Sequence, residues 1–370
     1  MSGIIKILPS FHTGGVEQST LLVVNYVAEK GLKSYVASSG GILEKKLSPN
    51  VKHITLSLNS KNPFKILCNA IKLKRIISEY NIKIIHAGSR APAWSGYIAA
   101  KLTGIAFVTT YHGAYGQNFC KWHYNRVMAL GKPVVVASKY MEQHVLKYYP
   151  GTKCVNIPSG IDTEFFKGNE EIEEKSRQLK ASWSLEPDRK VILLVGRVTR
   201  IKGHEFLLRS LACFKTKKAP IVLFVGDSKN TKLMEELKLK ADQINVQLLV
   251  YQGEPDLRPF YNVADVVIVP TTKPEAFGRV TVEAMSMEKV VIGNNLGASS
   301  EIINDPTWIF ESSSTESLSN TINKALSLPA SEMKVIGKKN RERAKNLYDV
   351  SKLVEGHMKI YNSLLKVELA

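Results

Sequence analysis

The stretch IKIIHAGSRAPAWSGYIAAKLTGIAFVTTYHG, residues 82–113, contains two apolar runs on either side of a segment with helical periodicity. The runs IKIIHAGS and AFVTTYHG are typical of buried strands, and WSGYIAAKLTG between them is typical of a helix that packs on a sheet. A strand, a helix and a second strand in this order predict a βαβ unit in a parallel sheet.

The same alternation continues on both sides of this stretch. Strand-like runs occur at GIIKILPS, KSYVASS and PVVVAS, and helix-like segments such as VEQSTLLVVNYVAEKG and KYMEQHVLKYYP lie between them or follow them. The rhythm stops over residues 157–190, which are polar and charged, and starts again with KVILLVGR, IVLFVGD, QLLVYQG, DVVIVPT and VVIGNN. We therefore predict a linker and a domain boundary near Ile161.

The length and composition also indicate two domains. A chain of 370 residues with 44% hydrophobic content is too long for one typical core, because single cores stop growing at about 250–300 residues. Two doubly wound α/β domains in tandem bring the carboxyl ends of their strands to a central cleft, and open α/β sheets bind ligands at that edge. We therefore expect the chemistry in the loops that follow strands.

Most of the net charge of +18 lies in the first predicted domain. Residues 1–160 contain 20 Lys and Arg but only 5 Asp and Glu, an excess of 15. A positive field on one domain concentrates anionic partners such as phosphate-bearing substrates, acidic lipid surfaces and nucleic acids. Composition alone does not choose among these three.

The cysteines and the N-terminus indicate a cytoplasmic protein. Cys68, Cys120, Cys154 and Cys213 lie far apart, without a CxxC motif or a histidine at ligand spacing, which argues against a disulfide framework and a structural zinc site. The N-terminus lacks the features of a signal peptide, and no stretch approaches the roughly 18 uncharged apolar residues of a membrane span. We expect neither an exported nor an integral membrane protein.

Two loops of the first domain have unusual residues after a strand. In FHTGGVEQS, Gly14 and Gly15 follow the first strand and open a helix, where free backbone N–H groups can bind an anion. In TTYHGAYG, His112 directly follows a strand and can bind a sugar hydroxyl or phosphate or transfer a proton. A tight turn and a structural histidine are the alternatives, and no GxGxxG dinucleotide fingerprint is present.

The loop VGRVTRIKGHE opens the second domain with two cations behind a flexible glycine. Arg197 offers a planar fork and Lys202 a point charge, and together with Gly196 they suit a diphosphate. Solvated surface cations are the alternative interpretation.

The loop EAFGRVTVE places Glu275 and Glu283 eight positions apart. If a helix begins near Gly278, Glu283 faces inward on it while Glu275 stays in the preceding loop. Carboxylates can accept hydrogen bonds from the paired hydroxyls of sugars and riboses, and the backbone amides of Phe277 to Arg279 would lie at the helix N-terminus. Two exposed helix acids are the alternative, although Pro274, Phe277 and Gly278 are unusual on a surface helix.

Taken together, these four loops resemble those of the retaining GT-B glycosyltransferases of family 4, which have two Rossmann-like domains facing a central cleft. The resemblance covers nearly the whole chain: the paired glycines, the YHG loop, the GRxxxxKG motif of the second domain, VGD around Gly226, and the E-x7-E segment that continues into EAMSMEKVVI. It departs from the family pattern at Glu288 and Val290, where a glycine and a proline are usual.

The resemblance implies a role for each matching residue. Arg197 and Lys202 match the pair that neutralises the donor diphosphate, and Glu283 matches the acid that holds the donor ribose. Glu275 matches the acid beside the transferred sugar, and His112 matches the histidine near the sugar and the acceptor. The implied donor-binding set also includes Gly14, Gly15, Gly196, Gly226, Phe277, Gly278 and Arg279.

The family resemblance also sets expectations for domains, cofactors and partners. It implies an acceptor-binding domain of residues 1–160, to which a C-terminal helix of about residues 350–370 returns, and a donor-binding domain of residues 161–349. The expected donor is a GDP- or UDP-linked hexose, with neither metal nor cofactor, and the expected acceptor is a lipid-linked or phosphorylated saccharide of lipopolysaccharide, capsule or glycolipid synthesis.

Two basic segments indicate where such an acceptor and a membrane surface would bind. FKILCNAIKLKRIISEY is typical of a helix whose polar, mainly basic face, opposite a broad apolar one, is formed by Lys65, Asn69, Lys72, Arg75 and Glu79. YGQNFCKWHYNR interleaves aromatic residues with cations, and burial of half of it in the core is the alternative. A sheet-packed helix with a solvated face is the alternative to peripheral docking on anionic lipid at the inner face of the membrane. A GT-B sugar-nucleotide epimerase and a basic nucleic-acid-binding protein are rival functions, although no nucleic-acid motif is present and we expect no nucleic-acid partner.

Overall fold

The computed structural model describes residues 2–12, 14–116, 118–183, 189–212 and 219–366. The chain divides into two compact units. Unit 1 comprises Met1–Gly160 and Val350–Ala370, and unit 2 comprises Ile161–Asp349. Each unit is a parallel sheet with helices.

Unit 1 contains a seven-stranded sheet in the order β3-β2-β1-β4-β5-β6-β7, and every recorded strand pair is parallel. Its elements up to the boundary are β1 (Gly3–Ile7), α1 (Gly15–Glu29), β2 (Lys33–Ser38), β3 (Val51–Thr55), α2 (Pro63–Glu79), β4 (Ile82–Ala87), α3 (Arg90–Thr103), β5 (Ala106–Tyr111), α4 (Phe119–Asn125), β6 (Val134–Val136), α5 (Lys139–Tyr148) and β7 (Cys154–Asn156).

Unit 2 contains a six-stranded sheet in the order β10-β9-β8-β11-β12-β13, also parallel throughout its recorded pairs. Its elements are α6 (Glu170–Ala181), β8 (Val191–Val195), α7 (His204–Leu211), β9 (Ile221–Val225), α8 (Thr231–Gln243), β10 (Leu248–Tyr251), α9 (Arg258–Val263), β11 (Val266–Val269), α10 (Arg279–Ser286), β12 (Val290–Asn294), α11 (Ser299–Ile303), β13 (Ile309–Phe310), α12 (Thr315–Leu326) and α13 (Ala330–Tyr348). The two Rossmann-like sheets confirm the predicted fold class.

The last helix, α14 (Val350–Leu365), belongs to unit 1 and packs against α1. Its apolar residues join a core cluster with residues of α1 and the central strands, among them Ile4, Val23, Val108, Val354 and Tyr361. The strands β1 and β8 are buried along their whole length, as expected of parallel sheets that helices cover on both faces.

The polar segment of residues 157–190, where the sequence predicts a linker, contains no described strand, but it does contain α6. The helix begins where Asn169 caps it, since the Oδ1 of Asn169 accepts a hydrogen bond from Ile172 N at 2.9 Å, and three glutamates in its first turn favour its N-terminus. Among its residues only Ile172 and Ser176 are buried, so the apolar period is too weak to be read from the sequence.

The basic face predicted for α2 needs one correction. Asn69 is buried, not solvated, and its Nδ2 donates to Ser57 O at 2.7 Å. The buried face consists of Asn69, Ala70, Leu73 and Ile77, which leaves several large apolar side chains of this helix exposed.

The described thiols Cys68, Cys120 and Cys154 are free, and Cys213 lies outside the described residues. Within the described ranges, no helix is both long and apolar enough to cross a membrane.

Candidate functional site

The predicted donor residues of unit 2 lie on both sides of a topological switch point. In its sheet, β9 lies on one side of β8 and β11 on the other, and open α/β sheets bind ligands at such a point, outside the carboxyl ends of the strands. Gly196, Arg197 and Lys202 follow β8, and Glu275 follows β11. The structure therefore brings these loops together at one edge of one sheet.

Two glycines allow the loops after β8 and β9 to approach closely. Gly196 has a φ of +141° and Gly226 a φ of +152°, in a region that favours glycine. A Cβ on Gly226 would lie 2.2 Å from the carbonyl oxygen of Gly196. Any side chain at Gly226 would push the two loops apart and displace the cations that follow.

Lys202 and Glu275 form an ion pair across the switch point. The Nζ of Lys202 lies 2.5 Å from Oε1 of Glu275, and the two side chains are 28% and 22% exposed. Lys202 ends a short 3-10 turn, Arg200–Lys202, and its aliphatic stem lies over Gly196. Arg200 points elsewhere, to Glu205 and Glu236 at 3.2 and 3.1 Å, so Lys202 is the cation of this turn that reaches the candidate site.

Gly297 holds the Glu275 loop in place. It has a φ of +64°, and a Cβ there would lie 2.5 Å from both the backbone N and O of Glu275. The next residue, Ala298, donates its N–H to Glu275 O at 3.0 Å. The sequence interpretation missed this support, although a glycine shortly after the strand β12 was a signal of close backbone approach.

Glu283 faces inward on α10, as the spacing of the two acids predicts. The helix begins at Arg279 after the N-cap residue Gly278, and Glu283 is 7% exposed. Its Oε2 accepts a hydrogen bond from the hydroxyl of Tyr261 at 3.0 Å, and its Oε1 lies 3.5 Å from Nη2 of Arg279. Burial raises the pKa of the Glu283 carboxyl, and the charge of Arg279 opposes this rise.

The two remaining predicted donor side chains of unit 2, Arg197 and Phe277, differ in exposure. Arg197 is exposed at the end of β8. Phe277 is 8% exposed and packs edge-on against Tyr348 at 5.7 Å between ring centroids, so its side chain belongs to the core and only its backbone remains for a ligand.

Unit 1 places its own predicted residues beside a second switch point. In its sheet β1 lies between β2 and β4. Gly14 and Gly15 follow β1, with α1 beginning at Gly15, and His112 directly follows β5, the neighbour of β4. A Cβ on Gly88, just after β4, would lie 3.6 Å from Nε2 of His112, so the loops after β4 and β5 are in close contact.

His112 is kept uncharged by its surroundings. Burial, and then the positive charge of Lys6, lower the pKa of His112 well below its usual range. At neutral pH its imidazole can therefore donate one hydrogen bond and accept another. Among the described residues, no group of three or more His, Cys, Asp or Glu could hold a metal ion.

A GT-B glycosyltransferase is the class of protein that these two Rossmann-like units and this arrangement of cations and acids define. Two family models match the chain: Glycosyltransferase Family 4 over residues 13–165 and Glycosyl transferases group 1 over residues 175–343. A glycosyltransferase of Rickettsia africae is 31% identical over 99% of both chains, and its crystal structure has a TM-score of 0.88. The chain belongs to the group 1 (family 4) glycosyltransferases, which confirms the resemblance.

Other relatives show the range of the family. A lipopolysaccharide 1,2-N-acetylglucosaminetransferase of Salmonella typhimurium is 29% identical over 52% of this chain, and the match spans 52% of that enzyme. The capsular polysaccharide biosynthesis glycosyltransferase CapM of Staphylococcus aureus is 23% identical over 96% of this chain and 97% of its own length. HepE of Anabaena, solved in complex with UDP, has the same fold, with a TM-score of 0.81 and 20% identity over 98% of this chain and all of that one.

Proposed function

We propose that this glycosyltransferase moves a hexose from a GDP- or UDP-linked donor to an acceptor hydroxyl, with retention at the anomeric carbon and without a metal ion. The acceptor we propose is a lipid-linked saccharide or a growing lipopolysaccharide or capsule chain. The observation that carries the proposal is the pairing of Lys202 with Glu275 at the switch point of unit 2, with the buried Glu283 in the helix that follows. The names of the Salmonella and Staphylococcus relatives and the UDP bound to HepE support it.

The ion pair suggests an exchange of partners when the donor binds. A donor diphosphate would supply Lys202 with a stronger negative partner than one carboxylate, because it presents several charged oxygens. Glu275 would then be free to accept hydrogen bonds from the sugar hydroxyls. Arg197 would complete the neutralisation of the diphosphate, and Glu283 would accept from the ribose hydroxyls.

The same cations would stabilise the transition state. As the bond between the anomeric carbon and the diphosphate breaks, its electron pair passes to the diphosphate oxygen, next to Lys202 and Arg197. In a same-face mechanism that oxygen takes the proton of the acceptor hydroxyl while the acceptor oxygen bonds to the anomeric carbon. Fixed charges aimed at developing charge are the main source of catalysis in such reactions, and no protein nucleophile takes part.

Turnover of a Lys202→Ala variant tests this role. We expect kcat to fall by about a hundredfold to a thousandfold, the usual cost of losing one preorganised electrostatic partner, with a smaller change in the donor KM. Nucleotide release from UDP- and GDP-linked hexoses, measured with an extract that contains the acceptor and in the presence of EDTA, gives both constants. Arg200→Ala is the matched control, since Arg200 lies in the same turn but pairs with Glu205 and Glu236.

Full turnover in Lys202→Ala would refute the role of this lysine. Loss of activity in EDTA would refute metal independence, and an inverted product configuration by NMR would refute retention. Interconversion of two sugar nucleotides in the absence of acceptor would identify an epimerase instead.

We further propose that α2 docks unit 1 on an anionic membrane surface. Phe64, Leu67 and Ile71 are 80%, 49% and 44% exposed, and at spacings of three and four residues they lie on one side of the helix. Exposed cations flank this stripe, namely Lys65, Lys72, Lys74 and Arg75. An exposed apolar stripe with cations beside it is the pattern of helices that lie in the membrane interface.

A further inference from the structure

Arg90 is a cation at the carboxyl edge of the unit 1 sheet. It begins α3, three residues after β4 ends. Its Nη1 donates to Oδ1 of Asn125 at 3.0 Å, and in the described ranges no carboxylate forms a salt bridge with it. Residues 1–160 contain only five acids, Glu17, Glu29, Glu44, Glu79 and Glu142.

Aromatic rings and a buried amide hold this guanidinium in one orientation. Its Cζ lies 4.2 Å from the ring centroid of Tyr115 and 5.6 Å from that of Tyr124. Asn125 is fully buried and donates its Nδ2 to Gly116 O at 3.0 Å, and Trp94 fixes the Tyr124 backbone by donating to its carbonyl oxygen at 3.0 Å. A side chain held in this way loses little conformational freedom when a ligand binds.

The position of Arg90 connects it to the candidate catalytic histidine. Tyr115, on which the guanidinium lies, packs against Tyr111, the residue before His112, at 4.9 Å between ring centroids. The strands that lead to Arg90 and His112 are neighbours in the sheet, and β4 adjoins β1 at the switch point. The guanidinium therefore lies where an open α/β sheet binds its ligand.

We propose that Arg90 binds an anionic group, a phosphate or a carboxylate, carried by the saccharide acceptor. The planar guanidinium matches both groups, because each presents two oxygens to a fork of N–H donors. Asn125 accepts from one of the five donors, which leaves a pair for a bidentate contact. The inference rests on the proposed function, since it assigns the chemical class of the acceptor.

Small anionic saccharides provide the test. Glucose 6-phosphate, glucuronate and uncharged glucose are titrated by calorimetry into the full chain and into Arg90→Gln, Arg90→Lys and Lys101→Gln. The last variant removes an exposed cation from the far end of the same helix and is the charge-matched control. We expect both anions to bind more tightly than glucose to the wild type and to Lys101→Gln.

Arg90→Gln is expected to weaken binding of the favoured anion by about tenfold to a hundredfold, the effect of losing a charged hydrogen bond. The affinity of Arg90→Lys should lie between those of the wild type and Arg90→Gln, because lysine keeps the charge but lacks the fork of N–H donors. A preference for glucose 6-phosphate over glucuronate would assign a phosphate, and the reverse a carboxylate. Comparing each variant with its own ligand-free melting temperature separates a binding effect from a folding defect.

The inference is overturned if Arg90→Gln keeps the wild-type affinity for the anions, or if glucose binds the wild type as tightly as they do. It is also overturned if Arg90→Gln loses only binding to phosphatidylglycerol vesicles, since the contact would then be to membrane lipid. UDP and GDP titrations distinguish the two proposals. Nucleotide binding without an Arg90 effect contradicts this inference alone, and an Arg90-dependent anion site without nucleotide binding contradicts the proposed donor.

Discussion

Lys6 is a lysine buried within unit 1, and no acid among the described residues forms a salt bridge with it. It lies in the central strand β1, is 4% exposed and pairs in the β-ladder register with His86 of β4. Burial lowers the pKa of Lys6 to about 7. The imidazole of His86 is held by Thr110 and Tyr361 at 2.7 and 2.6 Å, and its pKa is lowered by burial and then by the charge of Lys6.

A Lys6→Met variant should therefore be more stable than the wild type at pH 7. The unfolded chain binds the lysine proton up to a pKa near 10.5 and the folded chain only up to about 7, so this lysine lowers the free energy of unfolding at and below neutral pH. Each pKa unit corresponds to 1.36 kcal/mol, and the penalty amounts to about 4 kcal/mol at pH 7. It should shrink steadily as the pH rises toward 10.

Chemical denaturation of both proteins between pH 7 and 10 measures this difference. His86, His112 and His357 have folded-state pKa values lowered below this window by burial, and the remaining titration of these histidines in the unfolded chain is common to both proteins and cancels in the difference. Lys33→Met, at an exposed position on the neighbouring strand, is the control and should change little. A difference between Lys6→Met and wild type that is independent of pH would contradict the burial of an uncompensated charge.

At the residue level, sequence patterns predicted the positions of side chains more successfully than they predicted the partners of those side chains. The spacing of the two glutamates predicted that Glu283 faces inward, because helix periodicity sets that. Its partner Tyr261 lies 22 residues earlier on another helix, and no local pattern connects them. The pairing of Lys202 with Glu275, 73 residues apart, depends in the same way on which strands are neighbours.

At the level of elements, α2 shows a helix that leaves part of its apolar surface uncovered. The helix buries one face on the unit and turns Phe64, Leu67 and Ile71 outward. Burying a large apolar side chain contributes about 1.5–3 kcal/mol. The free energy gained by inserting two such side chains into a membrane interface is therefore a substantial part of the docking free energy.

The double variant Phe64→Ser/Leu67→Ser should bind phosphatidylglycerol vesicles at least tenfold more weakly than the wild type. The weaker binding follows from loss of the apolar contribution, and the remaining attraction between the cations and the anionic lipid should weaken further as the salt concentration rises. Vesicle sedimentation measures the bound fraction, and Leu239→Ser, which changes a 63% exposed leucine of unit 2, is the control. Equal binding of the double variant and the wild type would show that α2 does not dock.

The strands absent from the sequence prediction share a position in the sheets. β3 and β7 form the two edges of the unit 1 sheet and β13 forms an edge of the unit 2 sheet. These three strands are short or partly solvated, as the mixed burial of β3 shows, so they lack the apolar run that marks a central strand. The fourth edge strand, β10, has such a run and was predicted. The strands between the edges, which are mostly buried, were all predicted from sequence.

At the level of the whole molecule, the unequal distribution of charge along the chain matches the roles proposed for the two units. The excess of 15 positive charges in residues 1–160 would attract an anionic acceptor and an anionic membrane to unit 1. Unit 2 instead combines a few placed cations with two acids, as a donor with a charged diphosphate and neutral sugars requires. Composition alone suggested the anionic partners of unit 1 but not the donor site of unit 2.

The central claim, that unit 2 binds a nucleotide-diphosphate sugar through Arg197, Lys202 and the two glutamates, is tested most directly by ligand-induced thermal stabilisation in EDTA. UDP, GDP, ADP, CMP and their sugar conjugates are compared on the wild type, Arg197→Ala, Glu283→Gln and the control Arg200→Ala. We predict that one nucleotide diphosphate raises the melting temperature of the wild type and of Arg200→Ala by roughly 5–10 °C at 100 times its Kd. Both site variants should lose this shift, although ligand-free Glu283→Gln should be no less stable than wild type because it removes a buried charge. A wild type that no nucleotide stabilises, or site variants that keep the full shift, would contradict the account.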